Sequence, residues 1–327
     1  MRYLRLTTTD PTFNLALEET LFTSLDEHSE PIFMLWQNAP SIIIGCHQNA
    51  LQEINLGEVE EKKLPVVRRS TGGGAVYHDL GNLNFSFLEY RPGARQVDFR
   101  RYLEPIVAAL DKLGVKAEIS GRNDLEAGGR KVSGSAQRLS QGRVLHHGTL
   151  LVNADFEAMT RALQPDPEKY LSKGVASVRA RVANISEFWN KGTTLDDLCK
   201  GLAEEICDGD AKLPCSVLAK ARELQQARYA DWEWNIGRSP AFTSHTEQRF
   251  PFGRIQLCLA VKGGCITDCR IYGDFFAQRP VKEIEERLKG CQGRREALAK
   301  IVSGIRFAEY FCGAEEEAVR SFFLNCL

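Results

Sequence analysis

The chain has 327 residues, of which 42 are Lys or Arg and 43 are Asp or Glu, so its formal net charge is -1. A hydrophobic fraction of 43% with 26% charged residues excludes wholesale disorder, and the length suggests roughly two domains. The near-neutral charge argues against a protein that binds a long nucleic-acid backbone.

The sequence contains no clear signal peptide, membrane-spanning segment or cysteine motif. The amino terminus lacks the apolar core of a signal peptide, and no stretch approaches the ~18 consecutive apolar residues of a membrane span. The cysteines form no Cys-x-x-Cys pair, and Cys258, Cys265 and Cys269 have spacings that match no common zinc site. We therefore expect free thiols, a cytoplasmic location and no membrane or nucleic-acid partner.

The first helix and the strands after it follow from capping and periodicity. Asp10 can cap a helix that begins at Pro11, and Phe13, Leu17 and Leu21 recur at four-residue spacing as its apolar stripe. Apolar runs bounded by turn residues predict buried strands at residues 32–36, 41–45 and 65–69.

Between residues 82 and 229 the apolar positions first recur at every second residue, as in a strand, then at helical spacing, and then at every second residue again. On a strand at residues 82–88, Leu83, Phe85 and Phe87 share one face, and Asn84 and Ser86 take the other. The patterns that follow predict a helix at 99–113, a strand at 115–119, a hairpin of 131–136 with 144–152, and helices at 194–207 and 216–229.

The pattern changes near residues 232–241, where Gly237, Ser239 and Pro240 mark a loop. Strand pairs without a strict βαβ rhythm indicate an α+β fold on both sides of this loop. We therefore predict a larger domain over residues 1–242 and a small α+β domain over residues 243–327. The elements predicted for the small domain are strands at 254–261 and 265–272 and helices at 281–289 and 314–324.

The densest chemical signal is residues 68–79, Arg-Arg-Ser-Thr-Gly-Gly-Gly-Ala-Val-Tyr-His-Asp. Three glycines between two strands allow backbone N–H groups to approach an anion closely. Arg68 and Arg69 supply charged forks that suit phosphate or carboxylate oxygens. Neither a Walker A loop nor Gly-x-Gly-x-x-Gly is present, and a hairpin turn with surface arginines also fits these residues.

A second cluster joins residues 121–124, Gly-Arg-Asn-Asp, to residues 130–136, Arg-Lys-Val-Ser-Gly-Ser-Ala. Strand alternation predicts that Lys131, Ser133 and Ser135 share one face, which suits a pocket wall, although a solvated lysine also fits. Asp124 can ligate Mg2+ or cap a turn.

Two further clusters carry histidines or excess positive charge. His146 and His147 are neighbours on a predicted strand, so they point to opposite faces and cannot form a two-ligand metal site alone. One of the two is expected to be structural. Residues 173–184 hold Lys173, Arg179 and Arg181 but no acid, which suits a solvated basic loop or a flap that covers a phosphate.

Together and in this order, these clusters resemble bacterial lipoate–protein ligase A, within the biotin/lipoate protein ligase family. Similar blocks are Phe-Asn-Leu-Ala-Leu-Glu-Glu at 13–19, Gly-x-x-Gln-Asn at 45–49 and Trp-Glu-Trp-Asn at 232–235. The resemblance is strong over about residues 10–242 and weaker beyond. It implies a catalytic domain of the biotin/lipoate ligase fold followed by a small accessory domain.

The resemblance also implies a reaction. Lipoate's carboxylate attacks the α-phosphate of ATP to give lipoyl-AMP and pyrophosphate, and a lysine of an acceptor domain then displaces AMP. The implied metal is Mg2+. The implied acceptors are lipoyl domains of 2-oxoacid dehydrogenase E2 subunits and the glycine cleavage H protein.

By match to the family's motifs, Lys131 would be the catalytic residue and would contact both lipoate and the α-phosphate. The other implied site residues are Arg69, Gly74, Ala75, Val76 and Tyr77 for ATP, His78 and His147 for lipoate near Trp36 and Gly45, Lys173, Gly174, Ser177 and Arg181 in a loop over the adenylate, and Asp124 for Mg2+.

Departures from the family pattern are small. The stretch between Asp124 and Lys131 is short, which weakens the assignment of Asp124 as a metal ligand, and Thr71 and Tyr77 replace the expected Ser and Phe. One rival is an octanoyl or lipoyl transferase with an acyl-enzyme, for which Cys46 would be the nucleophile. The others are biotin ligase, whose glycine loop differs, and a non-catalytic acyl-binding relative.

Overall fold

The computed structural model describes residues 1–94, 96–163, 181–236, 244–262, 265–292 and 295–326. The first large sheet has eight strands in the order β11-β1-β2-β6-β10-β9-β8-β7. Its strands are β1 (Arg2–Arg5), β2 (Ile32–Trp36), β6 (Asn82–Tyr90), β7 (Ala117–Ser120), β8 (Asp124–Ala127), β9 (Arg130–Ser140), β10 (Arg143–Leu151) and β11 (Gly209–Asp210).

A second sheet, of three strands, carries the glycine-rich segment. Its order is β4-β3-β5, with β3 parallel to β4 and antiparallel to β5. The segment of residues 69–75 connects the end of β4 to β5, so it lies at one edge of this sheet. The strands are β3 (Ser41–Ile44), β4 (Val66–Arg68) and β5 (Val76–His78).

Helices pack around these two sheets, and several begin where the sequence predicts. They are α1 (Pro11–Ser24), α2 (Ala50–Glu53), α3 (Leu56–Lys62), α4 (Arg100–Lys112), α5 (Phe156–Ala162), α6 (Leu195–Ile206), α7 (Cys215–Leu224), which continues as a π-turn over Gln225–Tyr229, and α8 (Trp232–Asn235). The predicted capping residues are confirmed: Asp10 accepts from the N–H of Thr12 and Phe13, and Thr194 with Asp197 forms a capping box.

Helix α1 is more deeply buried than an apolar stripe requires. Leu15 and Leu17 are buried as expected for a core-facing helix, but Asn14, Glu18 and Glu19 are buried as well. Polar side chains in such positions need internal partners. The polar side chains of α1 therefore form hydrogen bonds and ion pairs with other buried side chains instead of contacting solvent.

The predicted alternation in β6 is confirmed. Leu83, Phe85 and Phe87 join the main apolar cluster beneath α4 and α6, whereas Asn84 and Ser86 lie on the opposite face and are also fully buried. The opposite face is polar because it is the floor of the cavity described below.

The C-terminal unit has its own sheet and its own core. Its three-stranded sheet, in the order β12-β13-β14, packs with four helices over a separate apolar cluster. The elements are β12 (Ser244–Phe250), β13 (Gly253–Lys262), β14 (Cys265–Gly273), α9 (Lys282–Leu288), α10 (Arg295–Val302), α11 (Phe307–Tyr310) and α12 (Glu316–Leu324). β12, α10 and α11 were not predicted. β12 is mostly polar and exposed, so it carries little apolar alternation.

The C-terminal unit packs directly on α2, on the loop before α2 and on the β7–β8 turn. The Arg254 guanidinium lies 2.7 Å from Glu53, and the N–H of Gly273 donates to the carbonyl of His47. Arg122 donates to the carbonyl of Phe252 and its guanidinium lies 4.5 Å from the ring centre of Phe276. The second unit therefore forms part of the surroundings of the predicted site.

Two sequence expectations concern the whole chain. All ten cysteines are free thiols. Across the described ranges, none of the helices combines the length and apolar character needed to cross a membrane. The predicted boundary at residue 242 falls among residues 237–243, outside the described part of the chain.

Candidate active site

A cavity of about 290 Å³ opens between the two sheets of the N-terminal unit and contains most of the predicted site residues. It combines polar residues such as Lys131 and Asp274 with the apolar side chains of Leu15, Trp36, Ile43 and Val76. Its walls are formed by Leu15, Trp36, Ile43, Arg69, Gly73, Gly74, Ala75, Val76, His78, Asn84, Asn123, Lys131, Gly134, Ser135, Ala136, His147, Gly148, Thr149 and Asp274.

One row of paired residues forms the cavity floor across five strands of the large sheet. Trp36 pairs with Asn84, Asn84 with Thr149, Thr149 with Gly134, and Gly134 with Asp124. Paired residues share one face of a sheet, and of these five Trp36, Asn84, Gly134 and Thr149 line the cavity. The small residues in the middle of the row leave room above the sheet.

Lys131 lies at the polar end of this row because of a β-bulge. The β8–β9 register slips so that Leu125 pairs with Ser133 but Glu126 pairs with Lys131. The prediction that Lys131 shares a face with Ser133 is therefore wrong, because the unpaired Val132 reverses the alternation, whereas Ser135 lines the same cavity as Lys131. Ser133 is fully buried, whereas the Lys131 ammonium lies on the cavity side of the sheet.

The Lys131 ammonium is held by a carboxylate and has room because of a glycine. Its Nζ lies 2.8 Å from Oδ1 of Asp124 and 2.9 Å from the position of a Cβ atom on Gly134. A side chain at Gly134 would displace this ammonium. Asp124, predicted as a possible metal ligand, is thus the partner of the predicted catalytic lysine.

Arg69 binds the glycine-rich segment itself. Its Nη2 donates to the carbonyls of Gly72 and Gly74 at 2.7 and 2.8 Å, its Nη1 to the carbonyl of Ile43, and its Nε to Thr71 Oγ1. The expectation of a two-pronged fork free for phosphate is therefore not met in this structure. Burial lowers the pKa of Arg69 to about 10, so the guanidinium remains cationic at neutral pH.

Arg68, which the sequence suggested as a second anion ligand, instead joins β4 to α8. Its guanidinium donates to the carbonyls of Trp234 and Asn235 and to those of Gly45 and Gln48. The Asn235 side chain accepts from the Arg68 N–H, and the indole of Trp234 donates to the Arg68 carbonyl. The Trp-Glu-Trp-Asn block therefore anchors the strand from which the glycine-rich segment begins.

Glu18 was not predicted as a site residue, and it begins a buried hydrogen-bond chain. Its carboxylate accepts from Nδ1 of His147 at 2.9 Å, and Nε2 of His147 lies 2.7 Å from Oγ1 of Thr71. Thr71 accepts from Arg69, so the chain runs from α1 to the glycine-rich segment. The sequence did contain a clue to Glu18. Two adjacent acidic residues, Glu18 and Glu19, lie among the apolar positions of the predicted helix, where a charged side chain needs a specific partner.

The remaining predicted residues from Gly74 to His78 lie on two sides of β5, one facing the cavity and one facing an apolar cluster. Gly74, Ala75, Val76 and His78 line the cavity. The side chain of Tyr77 alternates to the other face of β5 and packs in the apolar cluster with Ile42 and Val66. Tyr77 was predicted as an ATP ligand, and this structure places its ring away from the cavity.

The two neighbouring histidines do point to opposite faces. His147 lines the cavity, whereas His146 is fully buried in the main apolar cluster, where it stacks on Tyr102 with ring centres 4.8 Å apart. Burial holds the pKa of His146 well below its usual range. His146 is therefore the structural member of the pair.

Two polar atoms in the cavity wall lack a hydrogen-bond partner among the described residues. They are Nε2 of His78 and Nδ2 of Asn84, and both are buried. Burial lowers the pKa of His78 to about 3, which keeps its imidazole neutral. Asn84 was not predicted as a site residue, although its place on the polar face of β6 was.

The C-terminal unit contributes Asp274 to the cavity wall. This residue follows β14 directly, and its Oδ1 accepts from the N–H of Arg254 at 2.5 Å. No sequence signal singled it out, because it lies 143 positions from Lys131 in the chain.

Cys46, the candidate nucleophile of an acyl-enzyme, has an unsuitable environment. Desolvation by the surrounding protein raises the pKa of its thiol to about 11. A thiol held protonated at neutral pH is a poor nucleophile. Cys46 also does not line the cavity that contains Lys131.

The predicted adenylate loop lies mostly outside the described residues, which include neither Lys173, Gly174 nor Ser177. Arg181 is the first described residue after the gap, and its neighbour Val182 forms an isolated parallel bridge with Lys131. The chain thus returns from the loop beside the predicted catalytic lysine.

Within the described ranges, no group of three or more His, Cys, Asp or Glu side chains is arranged to hold a metal ion. Asp124, which pairs with Lys131, supplies one carboxylate beside the cavity, and Asp274 supplies another in its wall. One carboxylate together with substrate phosphates is a usual ligand set for Mg2+, so the residues fit an ion that arrives with a nucleotide.

Comparisons with known proteins cover nearly the whole chain. Residues 10–207 match the family described as the lipoyl protein ligase A/B catalytic domain, and residues 239–323 match the bacterial lipoate protein ligase C-terminus. Lipoate-protein ligase LplJ of Bacillus subtilis is 42% identical over 315 residues, which are 94% of this chain and 95% of the relative. Lipoate–protein ligase 1 of Staphylococcus aureus is 40% identical, with 93% of each chain covered.

Solved structures agree with these relatives. LipL1 of Plasmodium falciparum in complex with lipoate superposes with a TM-score of 0.82 at 28% identity, covering 99% of both chains. A lipoate-protein ligase A bound with ATP has a TM-score of 0.64 at 31% identity, covering 72% of this chain and 98% of that one. A bipartite ligase from Thermoplasma acidophilum, studied with its E2 lipoyl domain, has a TM-score of 0.66 at 31% identity and covers 73% and 98%.

Proposed function

The chain belongs to the lipoyl protein ligase A/B family, and we propose that it activates lipoate with ATP and transfers the lipoyl group to a lysine of an acceptor domain. The observation that carries the proposal is the cavity, whose lining combines the Lys131 side chain with the apolar side chains of Leu15, Trp36, Ile43 and Val76. Lipoate has the matching form, with a carboxylate at one end and an apolar body.

The first step brings two anions together, so it needs positive charge at their meeting point. The lipoate carboxylate attacks the α-phosphorus of ATP, forming the acyl–phosphate bond as pyrophosphate leaves. Lys131, as a compact ammonium, would reduce the repulsion and stabilise the charge that develops on the phosphate oxygens. Its pairing with Asp124 at 2.8 Å keeps the ammonium at that position before substrates bind.

The glycine-rich segment would hold the nucleotide phosphates through its backbone. Gly73 has φ +92, which a residue with a side chain rarely adopts, and Gly74 has no neighbour within 4 Å of its Cβ position. Arg69 would act here by fixing the segment's carbonyls, which turns the neighbouring N–H groups toward an anion. Ala75 and Val76 continue the same wall.

Mg2+ would be held by Asp124 together with the phosphates. The ion would neutralise phosphate charge during the displacement. When the nucleotide binds, the ion pair between Asp124 and Lys131 would break. Asp124 would then be able to bind Mg2+, and Lys131 would be able to contact the lipoate carboxylate and the α-phosphate.

The second step needs no nucleophile from this chain. The neutral amine of an acceptor lysine attacks the acyl carbon of lipoyl-AMP, the C–O bond to the phosphate breaks, AMP leaves with the bonding electrons, and the nitrogen of the new amide loses one proton. The residues of the predicted loop at 173–181 would cover the adenylate and exclude water. We propose lipoyl domains of 2-oxoacid dehydrogenase E2 subunits and the glycine cleavage H protein as acceptors.

Exchange of radiolabelled pyrophosphate into ATP tests the proposal. Exchange that depends on lipoate is expected, followed by lipoylation of an added E2 lipoyl domain with release of AMP. A protein that lipoylates the domain only from a thioester donor, without exchange, would be a transferase instead. A protein that binds lipoate but performs neither reaction would be the non-catalytic relative.

A further inference from the structure

The buried carboxylate of Glu18 on α1 takes no part in the proposed reaction, yet it binds side chains from two strands of the cavity floor. Ser86 donates to Oε1 of Glu18 at 2.5 Å and itself accepts from the indole N–H of Trp36. His147 is paired with Ser86 across β10 and β6, and its Nδ1 also contacts Glu18. Glu18 is only 1% exposed, so its charge depends on these donors and not on water.

The hydrogen-bond chain that starts at Glu18 ends at the glycine-rich segment. Nε2 of His147 lies 2.7 Å from Oγ1 of Thr71, and Thr71 accepts from Nε of Arg69 at 3.0 Å. Arg69 in turn donates to two backbone carbonyls of the segment. His147, Thr71 and Arg69 are all buried. A change in the orientation of His147 would therefore be passed to the backbone beside the cavity.

The geometry at residue 18 requires a carboxylate and not only a side chain of its shape. Both oxygens of Glu18 lie 2.9 Å from Nδ1 of His147. An ionised carboxylate only accepts, so a proton on Nδ1 faces Glu18 whether the imidazole carries one proton or two. An amide in this place would bring an N–H group against that proton whichever way the amide was turned.

We propose that Glu18 is a positioning residue for nucleotide binding: it fixes the orientation and the Nδ1 proton of His147, which holds Thr71 and, through Thr71, Arg69. The inference rests on the proposed function, in which the glycine-rich segment holds the nucleotide phosphates. Within the described part of the chain Glu18 is not among the residues that form the cavity walls, so it acts through these neighbours.

The proton on Nδ1 can be observed in the unaltered protein. Nitrogen-15 NMR of the histidine side chains, with the His147 signals assigned through its backbone, should show a protonated Nδ1. An unprotonated Nδ1 would overturn the proposal, because Glu18 would then not set the orientation of the ring. This measurement does not depend on whether a variant at residue 18 folds.

Paired substitutions test the chain itself. Glu18→Gln, which is nearly isosteric, should raise the Kd of a non-hydrolysable ATP analogue in calorimetry about three- to tenfold, as expected when one buried hydrogen bond is misplaced. Thr71→Val removes the next link and should raise this Kd similarly. The double variant should bind no more weakly than the weaker single variant, because both substitutions break the same chain.

Glu19→Gln is the matched control, because this neighbouring buried carboxylate binds Arg138, Arg228 and Tyr229 instead. It should lower the Tm without changing the Kd of the analogue. An equal rise in Kd for Glu19→Gln would reduce the effect to general destabilisation and overturn the inference.

Two other results would also overturn the inference while leaving the proposed function intact. One is an unchanged Kd in folded Glu18→Gln, and the other is full additivity of Glu18→Gln with Thr71→Val, which would show that Glu18 acts by another route. Failure of the unaltered protein to bind the ATP analogue would instead overturn the proposed function, and this inference with it.

Discussion

The position that a Cβ atom would take on Gly72 lies 2.2 Å from the carbonyl oxygen of Phe275 in the C-terminal unit. The glycine at this position is therefore required by contact between the two units, not by an anion. Gly73 needs its glycine for a different reason, a φ of +92, and Gly74 faces open space. Three consecutive glycines thus serve three separate purposes.

Gly72→Ala is expected to destabilise the protein, because the added methyl group has no space beside the Phe275 carbonyl. Overpacking of this kind costs about 1–3 kcal/mol. Thermal melting would show the effect as a lowered Tm. Gly74→Ala is the matched control and should melt like the parent protein; equal loss in both variants would show that the contact with Phe275 is unimportant.

Lys131→Ala should lower lipoate-dependent pyrophosphate exchange by about 10²–10³-fold, as for other losses of a preorganised charge at a transition state. The fold should survive, because the Lys131 side chain is 40% exposed and, within the described part of the chain, forms an ion pair only with Asp124. Exchange kinetics and melting would be measured together. Lys116→Ala, at an exposed lysine paired with Asp111, serves as the control. Near-normal exchange by folded Lys131→Ala would remove this residue from the chemistry.

Arg69→Lys should lower both Tm and affinity for an ATP analogue. A single ammonium cannot replace the hydrogen bonds that the guanidinium makes to Thr71, Gly72 and Gly74. Loss of a charged hydrogen bond costs about 1.5–3 kcal/mol. Calorimetry with the analogue and melting without it separate two roles: weaker binding at an unchanged Tm would mean that Arg69 is a direct phosphate ligand.

Cys46→Ser should retain lipoate-dependent exchange and lipoyl transfer within about twofold. Since the pKa of Cys46 is raised to about 11, roughly one thiol in 10⁴ is ionised at pH 7. Both half-reactions would be measured, with Cys215→Ser at an exposed cysteine as the control. Loss of transfer alone in Cys46→Ser would support an acyl-enzyme and the rival transferase.

Stability should fall as the pH drops below about 6.5, the ordinary pKa of an unfolded histidine. His78 and His146 have folded pKa values depressed by burial, to about 3 and well below the usual value respectively, so the unfolded state binds more protons in this range. Each should contribute a slope of up to about 1.4 kcal/mol per pH unit. Urea unfolding between pH 5 and 7 measures the slope.

His146→Phe offers a direct check of that pH dependence. A phenyl ring fits among Phe85, Phe87 and Phe99, and it removes one titrating group without touching the cavity. The dependence of the unfolding free energy on pH should become less steep by the contribution of one histidine, up to about 1.4 kcal/mol per pH unit. An unchanged slope would place the acid sensitivity elsewhere in the protein.

Local sequence patterns were sufficient for the elements that carry the site. The cap at Asp10, the alternation in β6 and the hairpin of β9 with β10 were predicted correctly because each depends on residues near one another in the chain. The ordered motifs likewise identified the ligase family, which the comparisons confirm. The strand β12 was missed because most of its residues are polar, so its sequence does not alternate between apolar and polar side chains.

Short-range patterns and ordered motifs specified the local elements, the family and the chemical character of Lys131 and the glycine-rich segment. The directions in which these groups face and the residues they contact depend on how the elements pack. A bulge at Val132 reversed the face of Lys131, and the donors of Arg69 bind carbonyls of its own segment. Glu18 and Asp274 reach the site from remote parts of the chain. Periodicity reports the burial of side chains within one element, whereas a site is made from contacts between elements, and their energies depend on distances that no single segment encodes.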